Sequence, residues 1–326
     1  MQDKQQQLLI IYTGGTIGML PSAEGYRPSA GIQQLINSCL GEKLLAQLQP
    51  FHCLEFEQLI DSSNAQPRDW LQIALRISEN YQKYAGFIIL HGTDTMAYTA
   101  AALGHMLGKN TKPIIVTGSQ IPMSQPRSDA LSNLIDAASF ARSAQISQVC
   151  LYFGGKLFAA DNVTKAHSSQ LCAFDSPNGQ PLARANIALD FYQPQPESSL
   201  KKDKTQSGFQ LQPLAHNAVA VLMLYPGISD AIIAAALLDK ATKAVVMLSF
   251  GAGNLADCNR YLMQSLKEAR SRGTVIVNMT QCYGGAVAQG AYAVGSTLNK
   301  LGVISAKSRT LEDVVTDLYI NLDKYL

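Results

Sequence analysis

Hydroxyl side chains follow glycine-rich turns at two places where an apolar run ends. Residues 8–12 open into Thr13-Gly14-Gly15-Thr16, and residues 86–90 open into His91-Gly92-Thr93-Asp94. In open α/β sheets, ligands bind at the carboxyl ends of the parallel strands. A hydroxyl placed there can attack a carbonyl group when a neighbouring base activates it. The sequence therefore suits ligand-binding or nucleophilic chemistry at Thr13 and Thr93. The first segment taken alone also suits an ordinary strand-to-helix turn capped by Thr16.

Other polar residues near these turns have both a functional and a structural interpretation. Asp61 and Ser62 follow a predicted strand at 54–60 and suit either a helix cap or a site for an amino acid. Asp94 could likewise cap the helix that follows it. Tyr26, in a stretch broken by proline and glycine, suits a flap or a half-buried aromatic. Lys165 suits a site lysine or a solvated surface amine.

The elements that position these residues alternate between apolar runs and amphipathic segments, which is the pattern of an α/β protein. A helix is predicted over 32–48 and another over 70–84. The larger N-terminal domain is predicted to have a mostly parallel sheet flanked by helices, with strands at 8–12, 54–60, 86–90, 113–117 and 149–153.

A polar tract containing prolines interrupts this alternation and predicts a linker at 191–212. It separates a catalytic α/β domain at 1–190 from a smaller parallel α/β domain at 213–326. Strands of the smaller domain are predicted at 218–224, 244–250 and 274–279.

Composition argues against several classes of function. Lys and Arg total 26 against 24 acidic residues, which gives no electrostatic reason to expect nucleic acid or an anionic membrane as a partner. Six cysteines without a Cys-x-x-Cys pair argue against a zinc site, and no phosphate-binding or dinucleotide-binding motif occurs. We therefore expect no cofactor and no metal. The N-terminal apolar run is too short for a signal peptide, so we expect a cytoplasmic protein.

The two hydroxyl segments together resemble the signatures of the bacterial L-asparaginase family. The similarity extends to the Gly25-Tyr26 flap, Asp61-Ser62, the segment 164–167 and the Gly-x-Gly-Asn segment at 251–254, so it covers nearly the whole chain. The sequences around Asp61 and Ser119 look most like the cytoplasmic type I branch.

This resemblance implies hydrolysis of the side-chain amide of L-asparagine to L-aspartate and ammonia. It implies that Thr13 attacks the amide beside Tyr26, while Thr93, Asp94 and Lys165 form a second polar triad. Asp94 would favour a charged lysine, whereas burial would favour the neutral amine that a base requires. The residues implied for substrate binding are Asp61, Ser62, Asp94, Ser119 and Asn254.

Asn254 aligns with a family residue that reaches the active site of a neighbouring subunit, so the resemblance also implies a homotetramer built as a dimer of dimers. Two positions depart from relatives. Tyr283-Gly284-Gly285 stands where secreted relatives have a glutamate that supports the Thr/Tyr pair. Leu248 stands where some type I relatives have an arginine associated with an allosteric asparagine site, so we predict weakened or lost allosteric activation.

Two other functions remain open at this stage. Two α/β domains joined by a linker also describe a non-catalytic protein that binds a small molecule such as an amino acid. An archaeal tRNA amidotransferase subunit shares the asparaginase core. A chain that starts directly at its first strand and lacks a basic excess gives that alternative less support.

Overall fold

The computed structural model describes residues 7–23, 25–48, 50–108, 110–192, 209–214, 218–289 and 293–326. The chain divides into two units, Met1–Pro213 and Leu214–Leu326. Within the predicted linker at 191–212, residues 193–208 lie outside the described residues. Each unit is built around its own sheet, which confirms the predicted two-domain α/β class.

The first unit has twelve strands and five α-helices in its described residues. The strands are β1 (Leu8–Gly14), β2 (Met19–Ser22), β3 (Gly25–Pro28), β4 (Phe51–Ile60), β5 (Gly86–Leu90), β6 (Ile114–Thr117), β7 (Val149–Phe153), β8 (Lys156–Ala159), β9 (Thr164–Lys165), β10 (Phe174–Asp175), β11 (Ala183–Ala185) and β12 (Leu189–Phe191). The helices are α1 (Ile32–Cys39), α2 (Glu42–Leu48), α3 (Pro67–Asn80), α4 (Met96–Leu107) and α5 (Ala130–Ala141).

Eight of these strands form one sheet in the order β12-β11-β8-β7-β6-β5-β1-β4. The strands from β7 to β4 are parallel, whereas β8, β11 and β12 add an antiparallel edge. Strand β1 is buried along its whole length because its apolar side chains are covered on both faces. Its position between β4 and β5, next to the edge of the sheet, puts Thr13 between the carboxyl ends of these two strands.

One local prediction for this unit was wrong, and one feature of its sheet was not predicted. The single helix predicted over 32–48 is two helices, because the chain is extended at Leu40 and Gly41 follows, a residue that disfavours a helix interior. The antiparallel edge was not predicted from sequence, since strands of three or four residues carry too little periodicity to stand out.

The second unit is a four-stranded parallel sheet in the order β13-β14-β15-β16. Its strands are β13 (Val219–Met223), β14 (Ala244–Ser249), β15 (Val275–Thr280) and β16 (Ile304–Ser305), and its helices are α6 (Asp230–Leu237), α7 (Arg260–Ser271), α8 (Ala293–Lys300) and α9 (Leu311–Ile320). The two-residue β16 and both helices after β15 were not predicted from the sequence.

In the described ranges of the whole chain, no helix combines the length and apolarity that a membrane span requires.

Candidate active site

Thr13 lies near the end of β1 and is almost fully buried, with 1% of its surface exposed. Its hydroxyl donates a hydrogen bond to the backbone oxygen of Leu90 on β5, at 2.9 Å. The side chain therefore points toward the neighbouring strand whose continuation carries Thr93. A backbone carbonyl orients the hydroxyl but is a poor proton acceptor for catalysis, so attack on a substrate requires another group to take the proton.

Thr93, Asp94 and Lys165 form a hydrogen-bonded cluster. The Lys165 ammonium lies 2.8 Å from Thr93 Oγ1 and 2.7 Å from Asp94 Oδ1. The lysine side chain is 19% exposed, which distinguishes it from a solvated surface amine. The Asp94 side chain is 60% exposed, so this carboxylate is also open to solvent. The structure therefore places close together the three residues that the family resemblance implied as a second triad.

Gln120 is a site residue that sequence reasoning did not single out. The Thr93 hydroxyl donates to Gln120 Oε1 at 3.1 Å, and Gln120 Nε2 donates to the backbone oxygens of Ser168 and Gln170. Gln120 thus joins Thr93 to the segment that follows Lys165. The available signal was its position, two residues after the glycine that follows the strand predicted at 113–117.

Asp129 holds the loop that carries Gln120. Its carboxylate is 8% exposed and accepts hydrogen bonds from the backbone nitrogens of Gln120 and Ile121, each at 3.0 Å. Ser119 in the same loop is fully buried and donates to the backbone oxygen of Ile121 at 2.7 Å. These bonds fix the loop after β6, beside the loop after β5.

Close backbone packing at glycine brings three strand-end loops together. A Cβ atom on Gly15, whose φ is +85°, would lie 2.3 Å from the backbone nitrogen of Gly92. A Cβ on Gly92 would lie 2.4 Å from Ser62 Oγ. Since real side chains cannot tolerate such distances, glycine is required for the loops after β1, β4 and β5 to meet.

Asp61 and Ser62 occupy the loop after β4. Asp61 is exposed and caps a short 3-10 helix by accepting a hydrogen bond from the backbone nitrogen of Ser63 at 3.2 Å. Ser62 is 3% exposed, and its backbone oxygen accepts from Thr95 Oγ1 at 2.7 Å. The capping role considered for Asp61 is therefore present, and the exposed carboxylate still faces solvent.

Tyr26 lies on β3 of the β2–β3 hairpin and is 46% exposed. Within the part of the chain that the structure describes, its hydroxyl forms no hydrogen bond to Thr13, whose own hydroxyl is bonded to Leu90. The structure thus does not join the two side chains that the sequence paired.

His91 is a structural residue of the loop that carries Thr93. It is 2% exposed, and its ring nitrogens are hydrogen-bonded to the Gly92 backbone oxygen at 2.8 Å and to Thr99 Oγ1 at 3.0 Å. Burial lowers the pKa of the imidazole, and the hydrogen bond to Gly92 partly offsets that shift. His91 therefore stabilises the start of α4.

The remaining predicted residues lie in the second unit. Asn254 follows β14 and is half-buried, with its backbone paired to Phe250 in an isolated bridge. Leu248 lies within β14, and its backbone oxygen accepts hydrogen bonds from Leu224 and Gln281. Tyr283 follows β15 and is 55% exposed. Among all described residues, no group of His, Cys, Asp and Glu side chains is arranged to hold a metal ion.

Comparison with known proteins gives matches along nearly the whole chain. Residues 7–197 match the family model of the asparaginase N-terminal domain, and residues 218–326 match that of the glutaminase/asparaginase C-terminal domain. L-asparaginase 1 of Escherichia coli K12 is 40% identical over 323 residues, which cover 99% of this chain and 94% of the relative.

Solved structures agree with these sequence matches. L-asparaginase I of Vibrio cholerae superposes with a TM-score of 0.84 at 39% identity, covering 99% of this chain and 94% of the other. The thermostable L-asparaginase of Thermococcus kodakarensis superposes with a TM-score of 0.82 at 30% identity, covering 98% and 95% of the two chains.

Proposed function

As a member of the asparaginase family, this chain is an L-asparaginase, and we propose that it hydrolyses the side-chain amide of L-asparagine with Thr13 as the nucleophile. Thr13 Oγ1 attacks the amide carbonyl, the amide nitrogen leaves as ammonia, and an aspartyl ester remains on Thr13. Water then hydrolyses this ester, which releases L-aspartate and restores the hydroxyl.

The observation that best supports this proposal is the bonded cluster of Lys165, Thr93 and Asp94 beside the loop of Thr13. The cluster supplies a hydroxyl, a carboxylate and an amine that can move a proton during ester formation or hydrolysis. Tyr26 relays the proton of Thr13 when the hairpin lies over bound substrate. Its phenol oxygen accepts that proton while its own O–H proton passes to the departing amide nitrogen, which leaves as ammonia. Backbone N–H groups of the glycine-rich loops stabilise the negative charge on the carbonyl oxygen.

Substrate recognition is proposed to use both signs of charge on the amino acid. The Asp61 and Asp94 carboxylates bind the α-ammonium group, and the Ser62 hydroxyl binds the α-carboxylate. Ser119 lies near the side-chain amide. Asn254 completes the active site of a neighbouring subunit. The assembly is proposed to be a cytoplasmic homotetramer, built as a dimer of dimers. Neither nucleic acid nor a membrane is proposed as a partner.

The test is ammonia release from L-asparagine and L-glutamine by wild type, Thr13→Ala and Thr93→Ala, with mass spectrometry of the protein during turnover. We expect both variants to lose activity and an aspartyl adduct to form on Thr13. An adduct on Thr93 in the wild type would reassign the nucleophile. Binding of asparagine without any ammonia release would instead indicate a binding protein.

Regulation by substrate is proposed to be weak or lost. An apolar side chain at Leu248 cannot pair with a carboxylate as an arginine does. We therefore expect a hyperbolic dependence of rate on asparagine concentration. A sigmoidal dependence of the wild-type rate on asparagine concentration would contradict this.

A further inference from the structure

The hairpin that carries Tyr26 is attached to the first unit mainly through its two ends. Strands β2 and β3 pair only with each other among the described strands, and most of their residues are exposed. Gly25, next to Tyr26, has no atom within 4 Å of the position that a Cβ would occupy. The contacts at the ends of the hairpin must therefore determine where Tyr26 lies.

At its carboxyl end the hairpin is held by a side chain from a distant strand. Helix α1 starts after Gly31, which has a φ of +92° and no side chain to cap the helix. The backbone nitrogens of Gly31 and Ile32 instead donate to the two carboxylate oxygens of Glu55, at 2.8 and 2.9 Å. One carboxylate on β4 thus satisfies two free N–H groups of the helix terminus.

The amino end of the hairpin rests on the strand residue that pairs with Glu55. Tyr12 of β1 lies opposite Glu55 in the parallel register. A Cβ on Gly18 would lie 2.2 Å from the Tyr12 hydroxyl, so Gly18 packs directly on that side chain. The backbone nitrogen of Ser29 donates to the Gly18 oxygen at 3.2 Å, which joins the two ends. Both ends of the hairpin therefore contact the paired strands β1 and β4, at Tyr12 and Glu55. Tyr12 directly precedes Thr13 in the chain.

We propose that Glu55 is a positioning residue for the reaction, because its carboxylate fixes the Tyr26 hairpin relative to the strand that carries Thr13. The inference rests on the proposed role of Tyr26. A glutamine in place of Glu55 keeps the length of the side chain but has one acceptor oxygen for two N–H donors. Its amide nitrogen would face one of those donors, so one of the two hydrogen bonds would be lost.

The experiment compares Glu55→Gln with Glu57→Gln, a matched control on the same strand whose side chain is exposed. We expect Glu55→Gln to lower kcat roughly 10-fold to 100-fold with a smaller change in KM, since misplacing a reacting group by about 1 Å costs about that much. Glu57→Gln is expected to retain wild-type kcat. Hydrogen exchange at the amides of Gly31 and Ile32 should accelerate only in Glu55→Gln.

Tyr26→Phe and the double variant Glu55→Gln/Tyr26→Phe test whether the effect acts through Tyr26. If it does, the double variant has the kcat of Tyr26→Phe alone, because residues that act as a unit are non-additive. Multiplied losses would mean that Glu55 acts by another route and would overturn the inference. Wild-type kcat in Glu55→Gln together with an impaired Tyr26→Phe would overturn it while leaving the proposed function intact.

Two further outcomes complete the test, and the second requires an additional variant. An unimpaired Tyr26→Phe would refute the proposed role of Tyr26 and the inference with it. If Glu55→Gln melts below the assay temperature, Glu55→Asp replaces it. The shorter carboxylate keeps its charge but reaches only one N–H group, so an intermediate loss of kcat supports the inference and a wild-type kcat overturns it.

Discussion

Substitution of Lys165 should reduce catalytic activity while the protein still folds. Its ammonium bonds to both Thr93 and Asp94. In Lys165→Met the apolar stem is kept and the proton-transfer cluster loses its cation. We expect kcat to fall by about 10²–10⁴, the usual contribution of acid–base groups, in assays of ammonia release.

The control for that variant is Lys156→Met. The Lys156 ammonium lies 4.0 Å from Asp175, a distance typical of weak surface pairs. Its loss should leave kcat unchanged. Equal losses in both variants would mean that Lys165 acts only through general electrostatics.

The lowered pKa of His91 leads us to predict how the free energy of unfolding depends on pH. Burial lowers the pKa of the His91 imidazole in the folded protein. In the unfolded chain the imidazole takes up a proton near pH 6.5, whereas in the folded protein it does so only at a lower pH. The free energy of unfolding therefore falls as pH drops below about 6.5, by at most about 1.4 kcal/mol per pH unit from this group. Urea unfolding of wild type at pH 7.5 and pH 5 should show the decrease.

Other titrating groups also contribute to this decrease, so the contribution of His91 is obtained by difference. His91→Gln should weaken the pH dependence, and His167→Gln, at an exposed position, should keep it. An identical pH dependence in wild type and His91→Gln would contradict the prediction.

The residue types at the site were readable from sequence, whereas their hydrogen-bond partners were not. Thr93 and Asp94 stood out as polar residues after a buried strand, whereas Lys165 was grouped with them only through the family resemblance. The acceptor for Thr13 is a backbone oxygen of another strand, and it depends on the register between β1 and β5. Gln120 was overlooked because a glutamine has no intrinsic reactivity that marks it.

At the scale of elements, the contact between the loops after β4 and β5 makes Gly92 sensitive to substitution. A methyl group in Gly92→Ala would collide with Ser62 and force the loops apart. We expect a destabilisation of about 1–3 kcal/mol in urea unfolding and a loss of kcat/KM, since overpacking has costs of this size.

Gly41→Ala is the matched control for Gly92→Ala. A Cβ at Gly41 has open space, and its φ is not positive. A stability change within about 0.5 kcal/mol is expected there. If Gly92→Ala were equally mild, the loops could separate without cost and their close contact would not define the site.

Element boundaries were predictable where one strand or helix carries its own signal. The buried runs of β1 and β5 were recognisable because every residue in them is apolar or nearly so. The start of α1 could not be explained locally, since Gly31 offers no side chain and the cap comes from Glu55. Glu55 lies 24 residues after Gly31, so this cap depends on tertiary structure. It cannot be predicted from the residues around the start of the helix.

At the scale of the whole molecule, the proposed assembly predicts complementation between subunits. Thr13→Ala and Asn254→Ala are each expected to lose most activity. In a mixed dimer, however, one site combines an intact Thr13 with an intact Asn254 from the other chain. After dissociation and random reassembly, about a quarter of all sites should regain wild-type turnover in assays of ammonia release.

The control for complementation is Thr13→Ala mixed with Lys165→Met. Thr13 and Lys165 both belong to the first unit, and both are proposed to serve the same site of the same chain. Each site in a mixed dimer therefore lacks one of the two residues. No recovery in the Asn254→Ala mixture would mean that each site is complete within one chain.

The self-paired β2–β3 hairpin also has an evolutionary consequence. Because its strands pair only with each other among the described strands and most of their residues are exposed, mutations and small insertions there should barely affect folding. Selection can then alter this segment while the sheet stays under separate constraint. Homologous enzymes with different substrate ranges should therefore differ most in the length and composition of this hairpin.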